Sequence, residues 1–290
     1  MKINKKWFPV FIAPTVALFV LIYALPLVIV FVTSFTNYRL IDPNITFAGL
    51  DNYRRMFSDA DFFLTLRNTI IWILIHCTLH VALGVLLALI LYRRPRGWKV
   101  VRTAYMIPNI ISSAAMGVIF INVFNPQFGV INSVLNLVGL ESLTRNWLMN
   151  PNTAFTSVTM IWLLFAGYTT TLVLAYALSI DESIIEAAKI DGASAFKLDF
   201  FIMLPLLKKM IGTTTVMAAA YMLRMFDLIF ITTGGGPGRM TMNLPLLLFN
   251  VFRSEHNFGY ANTIGVVIIV LGAICMIIIN KVFKVNEEGY

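Results

Sequence analysis

Few residues of this chain could take part in acid–base or metal chemistry, and their placement limits what the protein can do. Arg224 and Asp227 stand three apart within an otherwise apolar run, a spacing at which two side chains can pair along one helix face. Ionisable groups inside a membrane span are costly, so they mark a cavity or a partner, or else staple helices near the outer end. His76 and His80 are four apart, but no carboxylate accompanies them and no metal site is expected. Cys77 and Cys275 lie in apolar runs, which suggests buried thiols and neither a disulfide nor a zinc site. The run Thr232-Thr233-Gly234-Gly235-Gly236-Pro237-Gly238 invites a phosphate-loop reading. That reading fails because no Gly-Lys-Ser/Thr follows, and the run is a tight outer turn using glycine's backbone freedom. There is no Walker motif and no Ser/His/Asp or Cys/His arrangement at motif spacing. The chain is therefore not expected to be an enzyme, to hydrolyse ATP itself or to bind a cofactor.

The most informative polar stretch is Glu186-Ala187-Ala188-Lys189-Ile190-Asp191-Gly192, leading to Ile202-Met203-Leu204-Pro205. Ser183 followed by Glu186 reads as a capping box opening a short helix. Ile184, Ala187 and Ala188 share one face at helical spacing, and two alanines let a partner surface approach the backbone closely. Gly192 sits where a left-handed C-cap would close the helix. Ser194 can cap a second helix carrying Phe196, Phe200 and Leu204, and Pro205 marks a break before the next apolar span. The segment 180–209 is thus a helix–turn–helix shaped for docking.

The elements around it are membrane spans. The chain is 59% hydrophobic and 12% charged, with mean hydropathy +0.81, whereas a soluble domain carries about 25% charged residues. Apolar runs cover roughly 8–35, 69–91, 104–124, 153–179, 210–233 and 260–283, each about the length needed to cross a bilayer. The first is too long for a cleaved leader, and Pro14 and Pro26 are expected to kink it. Residues 1–68 form the N-terminal tail, first span and outer loop; 69–290 form a five-helix core with the docking loop. Residues 125–152 make a second outer loop lying on the membrane surface, with Trp147 as an anchor.

Lysine and arginine set the orientation. One side holds Lys2, Lys5, Lys6, Arg93, Arg94, Arg96, Lys99, Arg102, Lys189, Lys197, Lys208, Lys209, Lys281 and Lys284, which is 14 of the 22; the other holds 7, with Arg224 left inside a span. The bias places both termini and the docking loop in the cytoplasm. It also accounts for the net charge of +8 without nucleic acid.

The docking stretch reads Glu-Ala-Ala, three residues, Gly, nine residues, Ile-x-Leu-Pro. It closely resembles the EAA loop of permease subunits in binding-protein-dependent ABC importers. Further matches are Phe226-Asp227-x-Ile229, Thr233-x-Gly235-Gly236-Pro237 with Thr241, Asn257-Phe258-Gly259-Tyr260-Ala261, and Phe47-x-Gly49-Leu50-x-Asn52-Tyr53. Together they resemble the first of the two paired permeases in the maltose-transporter branch, though without that subunit's extra N-terminal spans and periplasmic insertion.

The resemblance implies an all-α type I importer permease with six spans, the first lying outside the core. It implies a second permease as heterodimer partner, two ATPase subunits that carry ATP and Mg, and an extracytoplasmic sugar-binding protein. ATPase coupling would fall to Glu186, Ala187, Ala188, Asp191, Gly192 and Pro205, with Glu186 making a charge-assisted contact and Gly192 allowing the turn. A sugar needs aromatic faces and hydrogen-bonding groups, which Trp162, Phe165, Tyr168 and Thr169 offer from the fourth span and Tyr221, Met222 and Met225 from the fifth. Tyr168, eighteen residues before Glu186, matches a substrate-contacting tyrosine of the maltose-type permease. An aromatic stripe at this spacing also serves simple packing. Two other readings stay open: a permease for a non-sugar solute such as glycerol 3-phosphate, and a stand-alone secondary transporter using Asp227.

Overall fold

The computed structural model describes residues 8–40 and 44–285. Lys2, Lys5 and Lys6 of the basic N-terminus lie outside them. Among the described residues the chain is all helical apart from isolated bridges. Five helices are long and apolar enough to cross a membrane, or six if one bent pair counts as a single span. The long helices are α1 (Val10–Thr33), α3 (Ala60–Tyr92), α10 (Ala195–Met222) and α13 (Phe258–Phe283), with the fourth span made of α7 (Ala154–Leu163) and α8 (Gly167–Ala177). The bent pair is α4 (Trp98–Ile110) and α5 (Ser113–Val123), which meet at 104°. Shorter helices are α2 (Asp51–Ser58), α6 (Val130–Leu137), α9 (Glu182–Ile190), α11 (Asp227–Thr232) and α12 (Leu244–Glu255).

The residues pack as two units. One contains the chain up to Phe62 together with Leu247–Val270; the other contains Phe63–Leu246 and the segment from Leu271 onward. In the first, two stretches distant in sequence meet on the turn that follows α1. Asn52 Nδ2 donates to the carbonyls of Ser34 (2.9 Å) and Thr36 (2.8 Å). At Gly259 a Cβ would lie 2.1 Å from the same Thr36 oxygen, so only glycine permits the approach. No residue of the most apolar stretch of the α1 span is buried within the chain.

In the second unit, Val85, Ala88 and Leu89 of α3 pack with Val173, Leu174 and Ala177 of α8 and with Met203, Leu207 and Ala218 of α10. Gly167 lets α8 touch α4: a Cβ there would stand 2.1 Å from the Tyr105 carbonyl.

Several spans depart from straight rods. The expected third span is the bent pair, broken at Ile111 and restarted by Ser112, whose side chain accepts from the Ala115 N–H at 3.2 Å. The expected fifth span does not run through to Thr233; α10 stops at Met222 and α11 begins at Asp227. Pro205 does not break the chain either. A π turn over Asp199–Met203 carries α10 past it, since a wider turn accommodates a ring that cannot donate and would clash with the preceding turn. Val20–Ala24 does the same ahead of Pro26 in α1.

Candidate functional site

The docking loop forms a helix and a turn, with its cap one step from the expected place. Asp181, not Ser183, closes α9, accepting from the Ser183 N–H at 3.0 Å. Aspartate two residues upstream reaches the first free N–H groups with less chain than the serine would need. That hydrogen bond and one from the Ser183 hydroxyl hold the Asp181 carboxyl below its usual range. The inward face is also turned by one residue: Ile185 is buried while Ile184 stays exposed. Gly192 follows the helix at φ +79°, the left-handed turn expected there. Ser194 caps the next helix through the Lys197 N–H, 3.4 Å away.

Glu186, Ala187, Asp191, Gly192 and Pro205 are exposed and Ala188 is half-buried. Beside them Ile190, Phe196 and Phe201 are exposed apolar residues. Arg93, at the end of α3, pins this region. It pairs with Asp199 and donates to the Ala195 carbonyl at 2.9 Å. In the sequence it was only one positive charge among several.

A cavity of about 410 Å³ opens within the second unit. Each wall is a helix interruption. His76 and His80 come from a π turn in α3. Asn109, Ile111 and Ser113 flank the α4–α5 bend, Trp162, Phe165 and Tyr168 the α7–α8 break, and Tyr221 and Arg224 the end of α10. Irregular backbone at membrane depth is tolerated where protein or a cavity satisfies it, and side chains do so here. His80 Nδ1 bonds the Leu163 carbonyl at 3.1 Å, Asn109 Nδ2 donates to that of Phe165 at 3.3 Å, and His76 Nδ1 bonds that of Ala218 at 3.0 Å. A carbonyl can only accept, so each Nδ1 carries the proton and each Nε2 is left as an acceptor in the neutral ring.

The two imidazoles stack at 4.0 Å, with Tyr221 stacked on His76 at 5.4 Å and Trp162 edge-on to it at 4.9 Å. Trp162 is 5% exposed, and its Nε1–H is buried without a hydrogen-bond partner. Such a donor costs about 1–3 kcal/mol until something accepts from it.

Of the expected path residues, Trp162, Phe165, Tyr168, Thr169 and Tyr221 line this cavity. Met222 and Met225 do not. They are 1% and 4% exposed, packed away on the other side of the last turn of α10 and its exit. Arg224 and Asp227 form no pair, because the helix that would have aligned them ends between them. Arg224 lines the cavity, and its Nε donates to the Ala220 carbonyl at 3.2 Å. His76 and His80 line the cavity as well, and their i,i+4 spacing is the one sequence signal that they share a face. Among the described residues no group of three or more His, Cys, Asp or Glu could hold a metal.

In the 125–152 loop, Trp147 is half-buried against the loop's own residues. Its Nε1 donates to Asn132 at 2.7 Å, while Asn132 donates to the Pro126 and Arg145 carbonyls at 3.1 and 3.0 Å. The loop is thereby tied on itself, whatever surface α6 rests on.

Comparison with known proteins agrees with this architecture. Residues 80–285 match the family model described as binding-protein-dependent transport system inner membrane component. A probable ABC transporter permease protein of Bacillus subtilis, YurN, is 30% identical over 282 residues, 96% of each chain. The trehalose/maltose transport system permease protein MalF of Thermococcus litoralis is 32% identical over 248 residues, 85% of this chain and 83% of that one. The fold is that of a chain in the crystal structure of a bacterial alginate ABC transporter in complex with alginate pentasaccharide-bound periplasmic protein. That chain is 20% identical, with TM-score 0.84 and 99% and 98% of the two chains covered. The chain is therefore a multi-pass inner-membrane permease, a non-catalytic subunit of the binding-protein-dependent ABC transporter family, whose ATPase is a separate subunit.

Proposed function

We propose that this permease imports a sugar or oligosaccharide through the broken-helix cavity, and that the 180–209 loop couples it to an ATPase. The observation that carries the reading is the cavity wall: four helix interruptions converge on aromatic faces and an unsatisfied indole N–H. Stacked rings suit the apolar faces of a pyranose, and the hydroxyls of Tyr168, Thr169, Tyr221 and Ser113 suit its rim. Several relatives bear names of sugar transporters, among them a trehalose/maltose and a lactose permease. The secondary-transporter reading is less well supported, because its coupling carboxylate, Asp227, does not line the cavity.

A second permease forms the other half of the pathway, and the α1 span, whose most apolar stretch has no buried residue in this chain, suits that contact. An extracytoplasmic binding protein delivers the sugar. Two ATPase subunits, carrying ATP and Mg, receive the exposed face of α9. Both termini of this chain are cytoplasmic. Closure of the ATPases pushes a helix–turn–helix that Arg93 and Ile185 tie to α3 and α10, so the push moves spans as rigid bodies rather than bending a loop.

Co-purification tests this. The tagged chain, expressed with its genomic neighbours and extracted in mild detergent, is expected to bring down an ATPase. A Glu186→Lys, Gly192→Pro double variant should lose that activity while still folding. A wild-type chain that elutes alone and moves solute into liposomes without ATP would refute the coupling role.

A further inference from the structure

We propose that the saccharide taken into the cavity carries a negative charge, which Arg224 receives; the proposal rests on the sugar-path reading above. The lining holds one permanent cation and no carboxylate. Arg224 contributes the guanidinium, and neither Asp nor Glu is present among the lining residues. Its Nε is used on the Ala220 carbonyl, which leaves the two terminal NH2 groups aimed by a fixed stem. The nearest carboxylate along the chain, Asp227, opens α11 on the far side of the break and makes no ion pair with it.

Arg224 follows the last residue of the α10 span and is exposed on the cavity. Arg93 and Arg55 have counter-charges in Asp199 and Glu255, whereas among the described residues no ion pair holds Arg224. The wall that this chain contributes thus presents a cation with no fixed counter-charge to whatever enters the cavity.

The polar lining around Arg224 is otherwise aromatic, amide and hydroxyl, so the guanidinium is its one charged donor. A carboxylate, sulfonate or phosphate on a sugar ring supplies the charged acceptor. A guanidinium matches such oxyanions with paired, charge-assisted bonds. A neutral sugar would leave Arg224 without a counter-charge.

The test uses pairs of ligands in which each carboxylate is either free or converted to its neutral methyl ester. The full-length chain, purified with its co-expressed permease partner and placed in nanodiscs, is titrated with mono-, di- and trigalacturonate and with the methyl ester of each. Binding is read by equilibrium dialysis and by the indole fluorescence that Trp162→Phe removes. At low salt the acid is expected to bind at least about tenfold tighter than its ester, the usual margin of a charge-assisted bond. Arg224→Gln should bring that ratio to near one by weakening the binding of the acids, and Arg224→Lys should keep part of it. Should the Gln variant fail to fold, a several-fold drop in the ratio for the Lys variant serves in its place. Esters that bind as tightly as acids, or a ratio that survives Arg224→Gln, would overturn the charge assignment and leave the sugar path standing. If no saccharide, charged or neutral, dialyses with the chain or perturbs Trp162, the sugar path itself falls and this assignment with it.

Discussion

Asp181 shows how a single side chain sets the docking helix. Its carboxylate accepts from the backbone and hydroxyl of Ser183 and is held below the usual carboxylate range. A group whose folded value is depressed stabilises the folded state above its unfolded value, about 3.9 for aspartate. That contribution disappears as the pH falls through the lower folded value. The cap is therefore complete at neutral pH and is lost below the ordinary aspartate range. Asp181→Ala should speed amide exchange at residues 183–185 at pH 7, and Asp181→Asn, which keeps an acceptor oxygen, should speed it much less. Equal protection in the wild type and the Ala variant would mean that Asp181 does not hold this helix end. The serine at 183 and the glutamate at 186 suggested a cap, and the local sequence was close to sufficient. Choosing between two adjacent polar residues needs the path of the chain from α8, which hydrogen-bond chemistry alone does not give.

At the scale of the element, two glycines do different work. Gly167 has no space for a side chain, since a Cβ would stand 2.1 Å from the Tyr105 carbonyl. Gly192 has open space around it but a φ of +79°. Gly167→Ala should push α4 from α8 and cost about 1–3 kcal/mol, as overpacking does. Gly192→Ala should cost about 1 kcal/mol through backbone strain and leave the cavity untouched. Thermal unfolding of the two variants in detergent separates these effects when paired with ligand-induced quenching of Trp162. A Gly167→Ala protein with wild-type melting and quenching would show that the α4–α8 contact is looser than the backbone spacing requires. Gly192 was legible as a helix C-cap because that role is local. Gly167 carried no signal, because the atom it makes room for lies sixty-two residues earlier in the chain.

For the whole molecule, orientation is the property most open to a direct test. With Cys77 and Cys275 replaced, single cysteines at Arg94 and Lys197 should react with a membrane-impermeant maleimide only after the cytoplasmic face is opened. Cysteines at Ser133 and Asn150 should react in intact cells. Labelling in the opposite sense would reverse the topology and remove the 180–209 loop from reach of any ATPase. The expectation rests on where lysine and arginine collect, a preference imposed during insertion, and so it can be read without any knowledge of packing.

The sequence by itself determined that this is a membrane permease of several spans, and it carries the expectations for which way the chain faces and where it docks. Each of these depends on properties that are local or additive: apolar length, charge bias, and a motif whose residues lie within twenty positions of one another. Only the tertiary structure decided what the spans enclose. The cavity exists because a π turn in α3, a 104° bend between α4 and α5, a break after α7 and the end of α10 come together. A helix break leaves free carbonyls, and whether His76, His80 or Asn109 reaches them is a matter of three-dimensional neighbours. The fate of Arg224 and Asp227 was settled in the same way. Three residues apart on an unbroken helix they could have paired; with the helix ended between them, one charge lines the cavity and the other does not.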